Sequence, residues 1–256
     1  MEVLFHVKLN EKLYLKDPEQ SALGKKIVKT GLELINKLGF EEFTFKKLAL
    51  AIHTTEATIY RYFENKHRLL VYILSWYWSY MDYKIVFFTH TLRKPEDKLK
   101  KVVELLVMPS EENSSNDYLG EKQAYELLLQ EGSKSYFTRH IAEDNKARLF
   151  KPYKDLCARI SDIIVECNPR YKYPHSLASA IIEMSHSQKY FKRNLPSLTD
   201  FGKHGNDTLI VLFLQGLLLN TILPQKKQES VLESSQKKRP SKTKSSGGRR
   251  SIRQSI

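Results

Sequence analysis

Apolar positions along this chain recur at helical spacing. Ile27, Leu34, Ile35 and Leu38 fall on one face, and Gly39 follows in the position where helices commonly stop. Thr44 is placed to cap a short helix to about residue 52, which turns Phe45, Leu48, Ala49 and Ile52 inward. A second short helix, from about residue 55 to residue 63, carries Ile59 and Phe63. Asn65 then opens a long helix with Leu69, Leu70, Ile73, Tyr77, Tyr80, Met81 and Ile85 as its apolar positions. Further helices are expected around 96–107, 118–131, 146–167, 176–192 and 206–223, with prolines between them or at their edges. No segment shows convincing alternation of apolar and polar residues. The expected fold class is all-α.

Composition supports this reading. Ten glycines and nine prolines in 256 residues is well below the usual share, so turns are few and elements long. Cys157 and Cys167 are the two cysteines, too few for a disulfide scaffold or a zinc site, and they suit a reducing compartment. The opening MEVLFHVKLN has no basic stretch ahead of an apolar one, so no signal peptide is expected. The longest apolar run, Leu209 to Leu223, has 15 residues and is interrupted by Gln215 and Asn220. It falls short of the roughly 20 residues that span a bilayer, and reads as a buried or interface helix.

Charge divides the chain more sharply than hydropathy does. The net charge is +13, and residues 225–256 hold ten Lys and Arg against Glu229 and Glu233. Residues 21–70 hold nine Lys and Arg against five Glu, while the long middle is nearly neutral. Basic character at two places points to polyanion contact there. The expected organisation is an extension over 1–20, a basic helical domain over 21–70, a larger helical domain over 71–224, and a disordered basic tail over 225–256. The tail either grips DNA nonspecifically or merely aids solubility.

Two short helices joined by a turn of two or three residues, between longer helices, form a helix-turn-helix layout whose second helix enters the major groove. Thr58 and Arg61 are suited to base edges, Ala57 to a thymine methyl and Tyr60 to a phosphate. Lys66, His67 and Arg68 open the long helix against its macrodipole, which suggests an external phosphate at that terminus. Residues 27–70 resemble the DNA-binding domain of TetR-type transcriptional repressors. The resemblance rests on Gly39-Phe40, Thr44, Leu48-Ala49, Thr55, Thr58-Ile59-Tyr60, Tyr62-Phe63, Glu64-Asn65-Lys66 and Leu69. It implies DNA contacts at Thr44, Lys46, Glu56, Ala57, Thr58, Tyr60, Arg61, Tyr62 and Lys66, with Thr55 at the helix entry. Tyr62 suits the core as well as the DNA. His53-Thr54 stand where the family usually has Gly-Val, so the turn is reshaped or slightly strained.

The resemblance further implies that residues 21–70 bind DNA and 71–224 form a ligand-binding and dimerisation domain, in a cytoplasmic, nucleoid-associated homodimer released from a palindromic operator by a small molecule. An activator or a ligand-independent regulator of the same fold are alternatives. A membrane-surface or interaction protein using the tail is an alternative of another class. Aromatic residues after position 70 suit an amphipathic or aromatic effector, with Trp76, Tyr80, Tyr83, Phe87, Tyr125 and His186 as candidates, though an ordinary helical core explains any one of them. Ile181, Ile182, Ser185, Leu212, Phe213 and Gly216 are candidates for the dimer seam. No metal site or cofactor is expected, and neither a nucleophile motif nor a phosphate-cradling glycine loop points to an enzyme.

Overall fold

A computed structural model describes residues 8–109, 119–202 and 206–223. Among these the regular structure is helical: α1 (Ala22–Leu38), α2 (Phe45–Ile52), α3 (Glu56–Tyr60), α4 (Lys66–Thr89), α5 (Pro95–Val107), α6 (Glu121–Glu131), α7 (Ile141–Lys146), α8 (Lys151–Cys167), α9 (Pro174–Asn194) and α10 (Thr208–Ile222), with short 3-10 turns between. The basic tail expected from residue 225 and the first seven residues lie outside the described residues.

The first four helices start where their side chains can accept from their own backbone. Ser21 accepts from Gly24, Thr44 from Lys47, Thr55 from Thr58 and Asn65 from Arg68, each through its side-chain oxygen. Helix α1 ends at Gly39, whose φ of 81° and ψ of 156° suit glycine alone. Near the start of α1, a Cβ on Gly24 would lie 2.3 Å from the Pro18 carbonyl oxygen, so the N-terminal extension packs there only against a glycine. Leu48, Ala49, Ile52, Ile59 and Phe63 are buried and lock α2 to α3.

The turn between α2 and α3 passes through His53 at φ 58°, ψ 51°. Left-handed backbone disfavours a Cβ by roughly 1–2 kcal/mol, while glycine loses about 0.5–1 kcal/mol more entropy on folding. His53→Gly is therefore expected to stabilise the protein by about 0.5–1 kcal/mol. A rise of a few degrees in thermal midpoint would show it, and a fall would mean that the exposed imidazole makes a compensating contact.

Helix α4 is central. Its ten consecutive residues from Leu69 to Trp78 are all buried, as in a helix packed on every side. It runs across residue 70, and the chain through Ile222 forms one compact unit. Beyond it, the stretch expected as one helix from 146 is broken by Arg148 at φ 60°, which separates α7 from α8.

The dimer candidates divide. Ile181, Ile182 and Ser185 have no exposed surface and point into this chain's own core, so a seam between copies does not form on them. Leu212 and Phe213 are 58% and 43% exposed, with Leu209 and Leu217 beside them on one face of α10, and Gly216 lies half-buried within that stripe.

Candidate functional site

Recognition end. Helix α3 presents an outward face with Thr55, Ala57, Tyr60 and Arg61 exposed and Glu56 and Thr58 half-buried. Thr44 and Lys46 are exposed beside it on α2. The Thr55 and Thr58 hydroxyls lie 3.0 Å apart, and Tyr60 packs edge-on against Phe45 with ring centroids 5.0 Å apart. Among the described residues no carboxylate pairs with Lys46 or Arg61, so both charges face solvent, as phosphate or base contact requires.

Two expected contacts change. Tyr62 is only 4% exposed and its hydroxyl lies 2.9 Å from Ser21 Oγ, so it ties α3 to the cap of α1 and does not face outward. The Lys66 ammonium donates to the carbonyls of Phe40, Glu41 and Phe43 at 2.8, 2.9 and 3.2 Å. It closes the loop between α1 and α2 from within. The other basic residues of the first turn are also engaged internally. Arg68 Nη1 donates to Asp144 Oδ1 at 2.8 Å, and His67 Nε2 lies 3.5 Å from Asp144 Oδ2. Burial holds His67 below its ordinary pKa despite the nearby carboxylate. These contacts explain the unfavourable first turn without an external anion.

Cavity. A cavity of about 320 Å³ opens among α4, α6, α8 and α9. Helix α4 supplies Val71, Leu74, Ser75 and Trp78, spaced as one helical face. Trp76, Tyr80, Tyr83 and Phe87 occupy the opposite face of α4 and do not line it. Trp76 stacks on Tyr80 at 5.3 Å, and Phe87 is 49% exposed next to Tyr83. Tyr125 is fully buried behind His186, its hydroxyl donating to the Val107 carbonyl. Of the six effector candidates, His186 alone reaches the cavity.

Helix α9 lines it with Glu183, His186, Ser187, Tyr190 and Phe191. Sequence reading missed Glu183; its signal was the helical spacing with His186, Ser187 and Tyr190, which places all four on one face of α9. Glu183 Oε2 accepts from the Tyr136 hydroxyl at 3.1 Å and Oε1 from the Tyr153 hydroxyl at 2.7 Å. Burial, reinforced by this carboxylate, raises the pKa of both phenols, which therefore stay protonated and donate. Burial pushes His186 down to about 3, and its Nε2 has no hydrogen-bond partner.

Two struts join the cavity wall to the helix-turn-helix. Glu131 Oε1 accepts from the Phe40 backbone N–H at 2.9 Å, and Lys134 Nζ reaches Glu41 Oε1 at 2.9 Å. Gly132, Ser133 and Ser135 of the same segment line the cavity. The second strut is Asp144 with Arg68 and His67; after it the chain turns through Arg148 to Phe150 and Tyr153, which also line the cavity.

Residues 27–73 match the family model for bacterial regulatory proteins of the tetR family. The helix-turn-helix is of tetR type. Similar folds occur in AibR complexed with isovaleryl coenzyme A and operator DNA, at 17% identity and a TM-score of 0.52, covering 75% of this chain and 97% of that one. A Saccharomonospora viridis protein described as a transcriptional regulator, in complex with choline, is 17% identical with a TM-score of 0.54, covering 79% of this chain and 96% of that one. The fatty acid degradation regulator FadR of Bacillus halodurans is 16% identical with a TM-score of 0.50, over 76% and 96%. No curated protein is detectably similar in sequence. The tetR-type domain thus sits on a helical body whose fold is shared with regulators. Among the described residues, no group of three or more His, Cys, Asp or Glu is placed to hold a metal, and no helix is long and apolar enough to cross a membrane.

Proposed function

We propose that this protein is a homodimeric, ligand-responsive transcriptional repressor acting on a palindromic operator in the cytoplasm. The observation that carries the reading is the pair of struts, because the segments that wall the cavity also hold the tetR-type domain. A molecule filling the cavity shifts residues 132–135 or 150–153, and Glu131 and Asp144 pass the shift to the Phe40 loop and to the first turn of α4. AibR, of the same fold, binds an acyl coenzyme A and operator DNA, a precedent for both partners on one such body.

Dimerisation follows from recognition. Two α3 helices must meet major grooves about 34–36 Å apart. The exposed stripe of Leu209, Leu212, Phe213 and Leu217 offers an apolar surface to a second copy.

The test is selection of bound duplexes from random DNA with the full chain, followed by anisotropy on the enriched sequence at two salt concentrations. An enriched palindrome bound by two copies is the expected result. Uniform, salt-sensitive binding without enrichment would overturn the reading.

A further inference from the structure

Glu183 is the one acidic residue among the eighteen that line the cavity, and none of the eighteen is Lys or Arg. Among the described residues, none of the cationic side chains forms an ion pair with it. Its two oxygens are held by phenol hydroxyls, which orient the carboxylate without neutralising it. A half-buried carboxylate held by neutral hydroxyls, with no counter-charge beside it, gains from a cation that a ligand brings.

The surroundings are suited to supply it through a ligand. Trp78 lies against Tyr153 with ring centroids 4.9 Å apart and against His186 at 5.5 Å. Tyr136 and Tyr153 flank the carboxylate, and Phe150 and Tyr190 complete an aromatic wall. Aromatic faces carry negative potential and attract a desolvated cation, best of all an alkylated ammonium that sheds water easily. An anion would meet Glu183 with no Lys or Arg on the wall to receive it.

We infer that the cavity is a site for a small organic cation, an alkylated ammonium with an apolar or aromatic body, seated on Glu183 between Trp78, Tyr136 and Tyr153. His186, kept neutral by burial, adds no competing charge. The cavity volume of about 320 Å³ limits the occupant to a compact molecule. As an account of the effector, this rests on the cavity being the regulatory site.

The experiment uses the full chain and three probes: phenyltrimethylammonium, its neutral isostere tert-butylbenzene, and benzoate. Trp76 and Trp78 are the only tryptophans, so quenching of intrinsic fluorescence reports on this region. Phenyltrimethylammonium should quench saturably and bind at least tenfold more tightly than either other probe. Glu183→Gln should remove that tenfold preference while leaving tert-butylbenzene unchanged. Equal affinity of the isostere or of benzoate, an unaltered preference in the Gln variant, or no quenching by any probe would overturn the inference. Should the variant fail to fold by circular dichroism, the comparison of probes on the wild-type chain decides.

Anisotropy of the selected duplex separates this inference from the regulatory reading. Tight cation binding that leaves the duplex bound sustains the cation site and overturns its role as effector site. Release of the duplex by tert-butylbenzene or benzoate, but not by the cation, sustains the regulatory site and overturns the cation.

Discussion

Lys84→Met is expected to destabilise the fold by about 3–5 kcal/mol, the range for stranding one member of a buried ion pair. Lys84 Nζ donates to both oxygens of Glu121 at 2.7 and 2.8 Å, with side-chain exposures of 4% and 3%. The pair joins the C-terminal third of α4 to the first residue of α6, and the ammonium also lies 5.7 Å from the Tyr80 ring centroid. Methionine fills the space of the lysine stem, so the loss isolates the charge. Glu121 is then left buried with no cation, and water cannot reach it without opening the contact between the helices. Lys84→Met combined with Glu121→Leu should recover most of the loss, because an apolar pair of similar volume needs no compensation. Urea unfolding of the two variants at unchanged m-value measures both effects. A loss below about 1 kcal/mol in the single variant would show that the pair is hydrated in solution.

Thr58→Ala with Tyr60→Ala should bring binding of the selected duplex close to the nonspecific level, a loss of at least a hundredfold. A well-made base contact at Thr58 contributes about 1–3 kcal/mol of discrimination, and the phosphate contact of Tyr60 holds the helix in register for it. Both side chains lie on the outward side of α3, so helical content should be retained. Tyr60→Phe is the control, since it keeps the packing against Phe45 and removes only the hydroxyl. Lys46→Ala should behave differently, weakening all duplexes alike and flattening the salt dependence by about one unit. Intact sequence preference in the double variant would mean that α3 is not the recognition helix.

The N-terminal helices were legible in the sequence because each local signal agreed with the others. Thr44 and Asn65 cap their helices as the sequence leads one to expect, Thr55 caps the helix expected to begin near it, and Gly39 ends α1 as expected. His53 adopts the left-handed conformation that its place in the turn requires. The cavity was less legible. In α4 aromatic residues occur on every side, so composition could not tell the face bearing Trp78 from the face bearing Trp76 and Tyr80. Only the packing of α6, α8 and α9 against it makes that choice. The same limit applied to Lys66 and Arg68. A basic first turn is unfavourable by itself, and whether carbonyls, Asp144 or an external anion relieves it depends on residues far away in the chain. Ile181 and Ile182 likewise read as apolar residues without saying which copy would cover them.

The bond from the Phe40 backbone to Glu131 has a thermodynamic consequence that runs in the opposite direction from release. Equilibrium coupling between two sites is reciprocal, so under the proposed function the factor by which a cavity ligand weakens DNA binding is the factor by which DNA weakens the ligand. A duplex that holds the Phe40 loop in place also holds Glu131, and with it the Gly132 side of the cavity. The operator-bound protein would then need a higher ligand concentration than the free protein, and the surplus of unbound copies in a cell would set the threshold at which the ligand is sensed.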